Sequence, residues 1–192
     1  ISSDPKSNLL YQGISPANLI LLTHTHQDHL DTATINAVKA TNAVLLAPPL
    51  VYAALPANLK SLTTTLTNGG STNVFGAIVE AIPAYNTTST QHKKGDGNGY
   101  LLTLGGRRIY ISGDTEDTPE MRDLDNIDVA FLSMNRPYTM TVSQAVSAVR
   151  QFVPGVIYPF HYSPSTPATD LNAFKQQVGT DAGVEVRLRN WY

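Results

Sequence analysis

Eight residues, His24-Thr25-His26-Gln27-Asp28-His29-Leu30-Asp31, constrain this chain more than any other stretch. They hold three of its five histidines together with two carboxylates. They follow an apolar run, Leu19-Ile20-Leu21-Leu22, that reads as a short buried strand. A strand that runs into a polar loop carries side chains to a sheet edge and holds them rigidly from behind. Imidazoles suit zinc, iron and manganese, and carboxylates suit harder cations. The bland alternative is a solvated, histidine-rich loop. The spacing His-x-His-x-Asp-His is far more specific than a lone pair of histidines.

Beyond this loop the pattern alternates strands with short helices. Residues 31–40 have helix character, with Asp31 or Thr32 as the cap. Residues 43–47 read as a strand stopped by Pro48-Pro49, and 50–55 as a short helix. The Thr-rich run 59–67 reads as extended, Asn68-Gly69-Gly70 as a turn, and 74–82 as a strand. Residues 83–99 form the longest irregular stretch, and loops of that length inside a domain are usually functional. Strands at 100–104 and 108–112 make a hairpin across Gly105-Gly106, and the second runs into Gly113-Asp114-Thr115. Thr118 caps a short helix with Pro119 at its first position. A buried strand follows at 127–134, an amphipathic helix at 141–152, and a strand at 156–160 that ends on His161. A helix at 169–178 and a strand at 184–188 close the chain. This rhythm predicts an α/β fold with helices packed on sheets. No repeat, linker or boundary divides it, so residues 1–192 are expected to form one domain.

Composition removes several function classes. The net charge is −2, and no Lys/Arg cluster exceeds a pair, so no nucleic-acid partner is expected. There is no cysteine, which excludes disulfides and thiolate metal sites. No apolar run approaches the roughly 18 residues of a membrane span. Charged residues are only 15% of the chain, and Thr, Ser and Asn are abundant, which suits export weakly. The compartment stays open between cytoplasm and export, and oligomeric state is not readable.

Four places put metal-type side chains just after a strand: His24 to His29, Asn86 or His92, Asp114, and His161. With the HxHxDH loop, the Gly-Asp-Thr turn and the strand-end His161, the chain resembles the metallo-β-lactamase superfamily. The Ile-Tyr-Ile-Ser-Gly-Asp-Thr run and the closing Pro-Phe-His-Tyr look most like its compact UlaG-like branch. The resemblance implies an αββα sandwich. It implies His24 and His26 at a first metal, Asp28, His29 and His161 at a second, and Asp114 bridging them. It also implies an Asp that supports the loop from behind, which Asp4 matches unless it belongs to an ordinary Asp-Pro turn. On that match the leading strands are missing and the fold is incomplete at its N-terminus.

One position departs from the family pattern. The family supplies a third histidine to the first metal near the strand end that reads here Ala84-Tyr85-Asn86. Asn86 would therefore stand in its place, and an amide oxygen is a weak ligand for zinc. Three outcomes are open: Asn86 binds weakly, His92 reaches in from the loop, or only one metal is held firmly.

The expected cofactor is zinc or manganese, one or two ions, which would acidify water and polarise a scissile bond. The resemblance suggests that Asp28 orients that water and takes its proton. Gly-x-Ser-x-Gly is absent, so a serine nucleophile is not expected. Tyr138 and Tyr162 are candidate donors to a developing oxyanion, against the plain expectation that a tyrosine packs. The function expected is hydrolysis of a small ester, lactone or phosphodiester. The alternative is a non-catalytic metal- or ligand-binding member of the same fold.

Overall fold

The computed structural model describes residues 11, 13–163, 168–179 and 183–191. Its architecture follows from strands that are apolar on both faces. In β2 (Lys39–Ala47), Ala43, Leu45 and Ala47 join a core with Leu22, Ile35, Val51 and Leu59. Val44 and Leu46 of the same strand pack into a second core with Val79, Ala81 and Tyr100. Leu101, beside Tyr100, joins a third with Leu132, Val149, Ile157 and Phe174. Successive side chains leave a strand on opposite faces, so a strand apolar at every position needs a layer on each side. Full burial of each such aliphatic side chain contributes roughly 2 kcal/mol.

Two sheets therefore face each other, with helices outside both. The three-stranded sheet is parallel, in the order β1 (Ala17–Leu21), β2, β3 (Thr63–Thr65). Its outer face is covered by α1 (Thr32–Val38), α2 (Pro49–Ala54) and α3 (Ala57–Lys60), through Ile35, Val51 and Leu59. The second sheet contains β4 (Ser71–Val74), β5 (Ala77–Ala84), β6 (Gly97–Leu104) and β7 (Arg107–Ile111) as an antiparallel meander. It continues in parallel through β8 (Val129–Ser133), β9 (Val156–Phe160) and β10 (Glu185–Val186). The helices α4 (Pro119–Arg122), α5 (Val142–Phe152) and α6 (Leu171–Val178) pack Met121, Val149 and Phe174 against its outer face. This is the αββα sandwich expected from the sequence. Tyr100 ties its two halves, because its buried hydroxyl on β6 donates to the Leu22 carbonyl at 2.7 Å.

Several element boundaries differ from the sequence reading. Helix α1 stops at Val38, and β2 begins at Lys39 instead of residue 43, because Lys39 pairs with Ala17 of β1. Sheet pairing overrides the helix preference of Lys39 and Ala40. The strand expected at 74–82 is the hairpin of β4 and β5, folded at Phe75-Gly76 with φ of 53° and 83°. In the run expected to be extended at 59–67, Leu59 and Lys60 belong to α3, and β3 covers only Thr63–Thr65. The irregular stretch shrinks at both ends, since Pro83 and Ala84 extend β5 and Gly97 and Gly99 belong to β6. Gly99 is fixed there by crowding: a Cβ would lie 2.7 Å from the Ser112 carbonyl oxygen. Asp4 lies outside the described residues. Among them, no helix is long and apolar enough to cross a membrane.

Candidate metal centre

Both sheets deliver side chains to one edge of the sandwich. After β1, the Leu22 N–H still bonds the Leu46 carbonyl at 2.9 Å, so the strand holds the chain up to His24. The loop then turns tightly, with the N–H groups of His29 and Leu30 both donating to the His26 carbonyl. Asp31 ends the loop as the cap of α1, accepting from the Ala33 N–H at 3.0 Å and the Thr34 hydroxyl at 2.6 Å. Strand β7 leads into Gly113 and Asp114, and β9 into His161. His161 adopts a left-handed φ of 50°, a costly conformation for a residue with a Cβ. His92 arrives from the loop between β5 and β6.

Their polar atoms form two groups around Asp114. In the first, His24 Nε2 lies 3.2 Å from His26 Nδ1, and His92 Nε2 lies 3.3 Å from that same atom. Asp114 Oδ2 is 3.8 Å from His24 Nε2 and 3.6 Å from His92 Nε2. In the second, Asp28 Oδ2 is 3.0 Å from His161 Nε2 and 3.4 Å from His29 Nε2. Asp114 reaches this group too, with Oδ1 3.3 Å from His29 Nε2 and Oδ2 3.4 Å from His161 Nε2. His24, His26 and His92 can present one donor atom each within 4.8 Å of one another, and so can Asp28, His29 and His161.

The surroundings fix which ring atoms face inward. A carbonyl can only accept, so the 3.1 Å contact between His92 Nδ1 and the Tyr138 carbonyl places the proton on Nδ1. His92 Nε2 is then left with a lone pair aimed at His26 and Asp114, the usual arrangement behind a metal-ligating imidazole. The Thr23 hydroxyl, which can donate or accept, lies 3.1 Å from His24 Nδ1 and 3.4 Å from His29 Nδ1 and so holds both rings from behind.

Burial drives the His24 pKa down to about 3, with repulsion from His29 adding to it. Burial also lowers His92. Burial opposes a proton on His29, but the Asp114 and Asp28 carboxylates outweigh it and raise its pKa to about 9. Asp28 is held well below the usual carboxylate range, first by His29 and also by His161. For Asp114 burial disfavours the charge, yet His29 beside it keeps the carboxyl below its ordinary value.

Such a set fits a divalent cation. His29 Nε2 and Asp114 Oδ1 are buried and make no hydrogen bond. Imidazole lone pairs suit zinc, and the two carboxylates among them are compatible with manganese as well. An ion between His29 Nε2 and Asp114 Oδ1 would take the place of the 3.3 Å contact these two atoms otherwise make with each other.

The other sequence candidates fall in different places. The Asn86 amide donates to the Tyr138 carbonyl at 2.7 Å and to Ser89 Oγ at 2.8 Å. Asn86 therefore braces the loop, and the histidine brought to the first group is His92. Tyr138 lines a cavity of about 290 Å³ in front of the two groups, with Gln91 and Asn135 also at its wall. Tyr162 faces elsewhere: its hydroxyl donates to the Arg189 carbonyl at 2.8 Å and accepts from the Trp191 N–H at 3.2 Å. Gln91 and Asn135 escaped the sequence reading because a carboxamide in a loop carries no spacing signal.

Comparison with known proteins identifies the family and the fold. A sequence model described as the beta-lactamase superfamily domain matches residues 3–162. A UPF0173 metal-dependent hydrolase from Thermococcus onnurineus (strain NA1) is 34% identical over 174 residues, which are 88% of this chain and 77% of the relative. The crystal structure of a candidate metal-dependent hydrolase from Parabacteroides distasonis ATCC 8503 superposes with a TM-score of 0.83 at 42% identity. That match covers 93% of this chain and 79% of the other. Igni18, a metallo hydrolase from Ignicoccus hospitalis KIN4/I, gives a TM-score of 0.77 at 26% identity, over 94% of this chain and 79% of its own.

Proposed function

The chain belongs to the metallo-β-lactamase superfamily, and we propose that it is a metal-dependent hydrolase of a small ester, lactone or phosphodiester. Residues 1–192 are read as one such domain. The observation that carries the proposal is the pair of donor groups on either side of the Asp114 carboxylate. His24, His26 and His92 would hold one cation, Asp28, His29 and His161 a second, and Asp114 would serve both, since a carboxylate has two oxygens to share. Bound zinc or manganese supplies Lewis acidity, which acidifies water towards neutral pH and polarises a carbonyl or phosphoryl oxygen.

The chain's own groups arrange the rest. The Asp28 side chain is 55% exposed and its carboxyl is held ionised, so it can orient a water at the cavity and accept its proton. The Tyr138 side chain, half-exposed at the cavity wall, is placed to donate to a developing oxyanion or leaving group. Gln91 and Asn135 offer both donors and acceptors to the uncharged parts of a substrate. The non-catalytic alternative drew on Asn86 as a lost ligand and on missing N-terminal strands; the place of His92 beside His26 and Asp114 weighs against the first ground.

The test combines metal analysis with turnover of a lactone, an aryl ester and a generic phosphodiester. The proposal expects hydrolysis of at least one, lost on chelation and restored by zinc or manganese. Metal-replete protein inert towards all of them would contradict it.

A further inference from the structure

Glu116 is almost wholly buried, with 3% of its surface exposed, and the chemistry above does not use it. Its Oε2 accepts from the Thr87 N–H at 2.9 Å, the Thr87 hydroxyl at 2.7 Å and the Thr88 N–H at 2.9 Å. Its Oε1 accepts from the Thr88 hydroxyl at 2.5 Å. Four donors from two adjacent residues thus converge on one carboxylate. An ionised carboxylate only accepts, so it suits this ring of donors, and its bonds to N–H groups are of the strong, charge-assisted kind. Burying a charge is costly unless it is bonded this fully. A simple surface turn needs no such device.

The segment it grips leads to the first donor group. Tyr85 is held by the same turn, its N–H donating to Thr115 Oγ1 at 3.0 Å and its carbonyl accepting from the Glu116 N–H at 3.0 Å. The Asn86 N–H donates to the His92 carbonyl at 2.9 Å, which closes the loop on itself. The Asn86 amide and His92 Nδ1 share the Tyr138 carbonyl as acceptor, at 2.7 and 3.1 Å. Residues 86 to 92 therefore form a closed unit with two anchors on the body of the protein: the Tyr138 carbonyl, which meets Asn86 and His92, and the Asp114-Thr115-Glu116 turn, whose Glu116 carboxylate holds Thr87 and Thr88. That turn supplies the shared carboxylate at one end and grips the His92 loop with the other.

We propose that Glu116 is a positioning residue for the first cation: by clamping Thr87 and Thr88 it sets the His92 imidazole against His24 and His26, without touching the cation itself. The assignment rests on the reading that a cation is held there. Groups that orient a ligating histidine from behind are typically worth about 10- to 100-fold in metal affinity. The Glu116 effect should fall in that range and be confined to one of the two sites.

The experiment is a zinc titration against a competing chelator, with cobalt(II) absorption as a second readout of the ligand set. It compares the parent, Glu116→Ala, Glu116→Gln, His92→Ala and His161→Ala. The parent should bind two ions. Glu116→Ala should weaken one of them about 10- to 100-fold, the one lost in His92→Ala, and leave the one lost in His161→Ala unchanged. Its cobalt spectrum should change in the same bands as that of His92→Ala. Glu116→Gln keeps an oxygen for three of the donors and offers an N–H that the Thr88 hydroxyl can accept. It should recover most of the lost affinity. If the alanine variant fails to fold, the glutamine variant alone decides: a several-fold weakening of the first site only is expected. Unchanged binding at the first site in the variant that folds, or equal weakening of both sites, overturns the assignment. A parent that binds no zinc, or a His92→Ala variant that keeps both ions, overturns the metal centre itself and this assignment with it.

Discussion

Asn86 and His92 divide a task that the sequence alone left undecided between them. The HxHxDH loop announces itself because its donors lie within six residues. His92 stands 66 positions beyond His26, in a loop whose path no local pattern specifies. The deciding contact is the Tyr138 carbonyl, which both side chains reach and no periodicity foretells. Replacing Asn86 by His should therefore weaken metal binding instead of strengthening it, because the brace to Ser89 and Tyr138 is lost. His92→Ala should remove one ion of two. Metal content after dialysis, measured on both variants, checks this pair. A second expectation concerns His29. Without metal its pKa is raised to about 9, so its proton stabilises the metal-free fold fully below the unfolded value of about 6.5 and less as pH rises through 9. A cation must displace that proton. Metal uptake near pH 7 should release protons and tighten as pH climbs towards 9, which calorimetry in buffers of different ionisation enthalpy would register.

Strand ends do most of the placing. Strands β1, β7 and β9 were legible as apolar runs, and with them the positions of His24, Asp114 and His161. Where the reading slipped, long-range pairing was the cause: Lys39 joined a strand through Ala17, and Gly97 and Gly99 joined β6 through β5. Gly97 and Gly99, read as part of the irregular stretch, lie in a strand too close to its neighbours for side chains. Gly113 shows the same constraint beside the centre. It adopts φ of +62°, and a Cβ there would lie 2.9 Å from the Asn98 carbonyl oxygen. Gly113→Ala should displace Asp114 and lower both metal content and melting temperature. Tyr100→Phe should behave differently: it strips the Leu22 carbonyl of its 2.7 Å partner and should cost about 1–3 kcal/mol of stability while leaving metal stoichiometry intact. Denaturant unfolding with a parallel metal assay separates the two.

At the scale of the whole molecule, the centre lies across the seam of the sandwich. The HxHxDH loop hangs from the three-stranded sheet, and His92, Asp114 and His161 come from the larger one. An ion bound by both halves binds the folded state alone, so it stabilises by mass action, by about 4 kcal/mol at a thousandfold excess over Kd. Chelation should accordingly lower the melting temperature by several degrees, and readdition of zinc or manganese should restore it. Equal melting curves with and without chelator would contradict a cation at the seam. Helices packed on sheets were legible in the strand–helix rhythm, and the αββα order in the family resemblance. The seam itself was not, because it depends on which strand ends meet across space. The most direct measurement is anomalous diffraction at the metal edge from crystals grown with excess zinc or manganese. Two peaks are predicted, about 3.5–4 Å apart, one among His24, His26 and His92, the other among Asp28, His29 and His161, with Asp114 between them. A metal peak anywhere else with these positions empty, or one that excludes Asp114, would contradict the account.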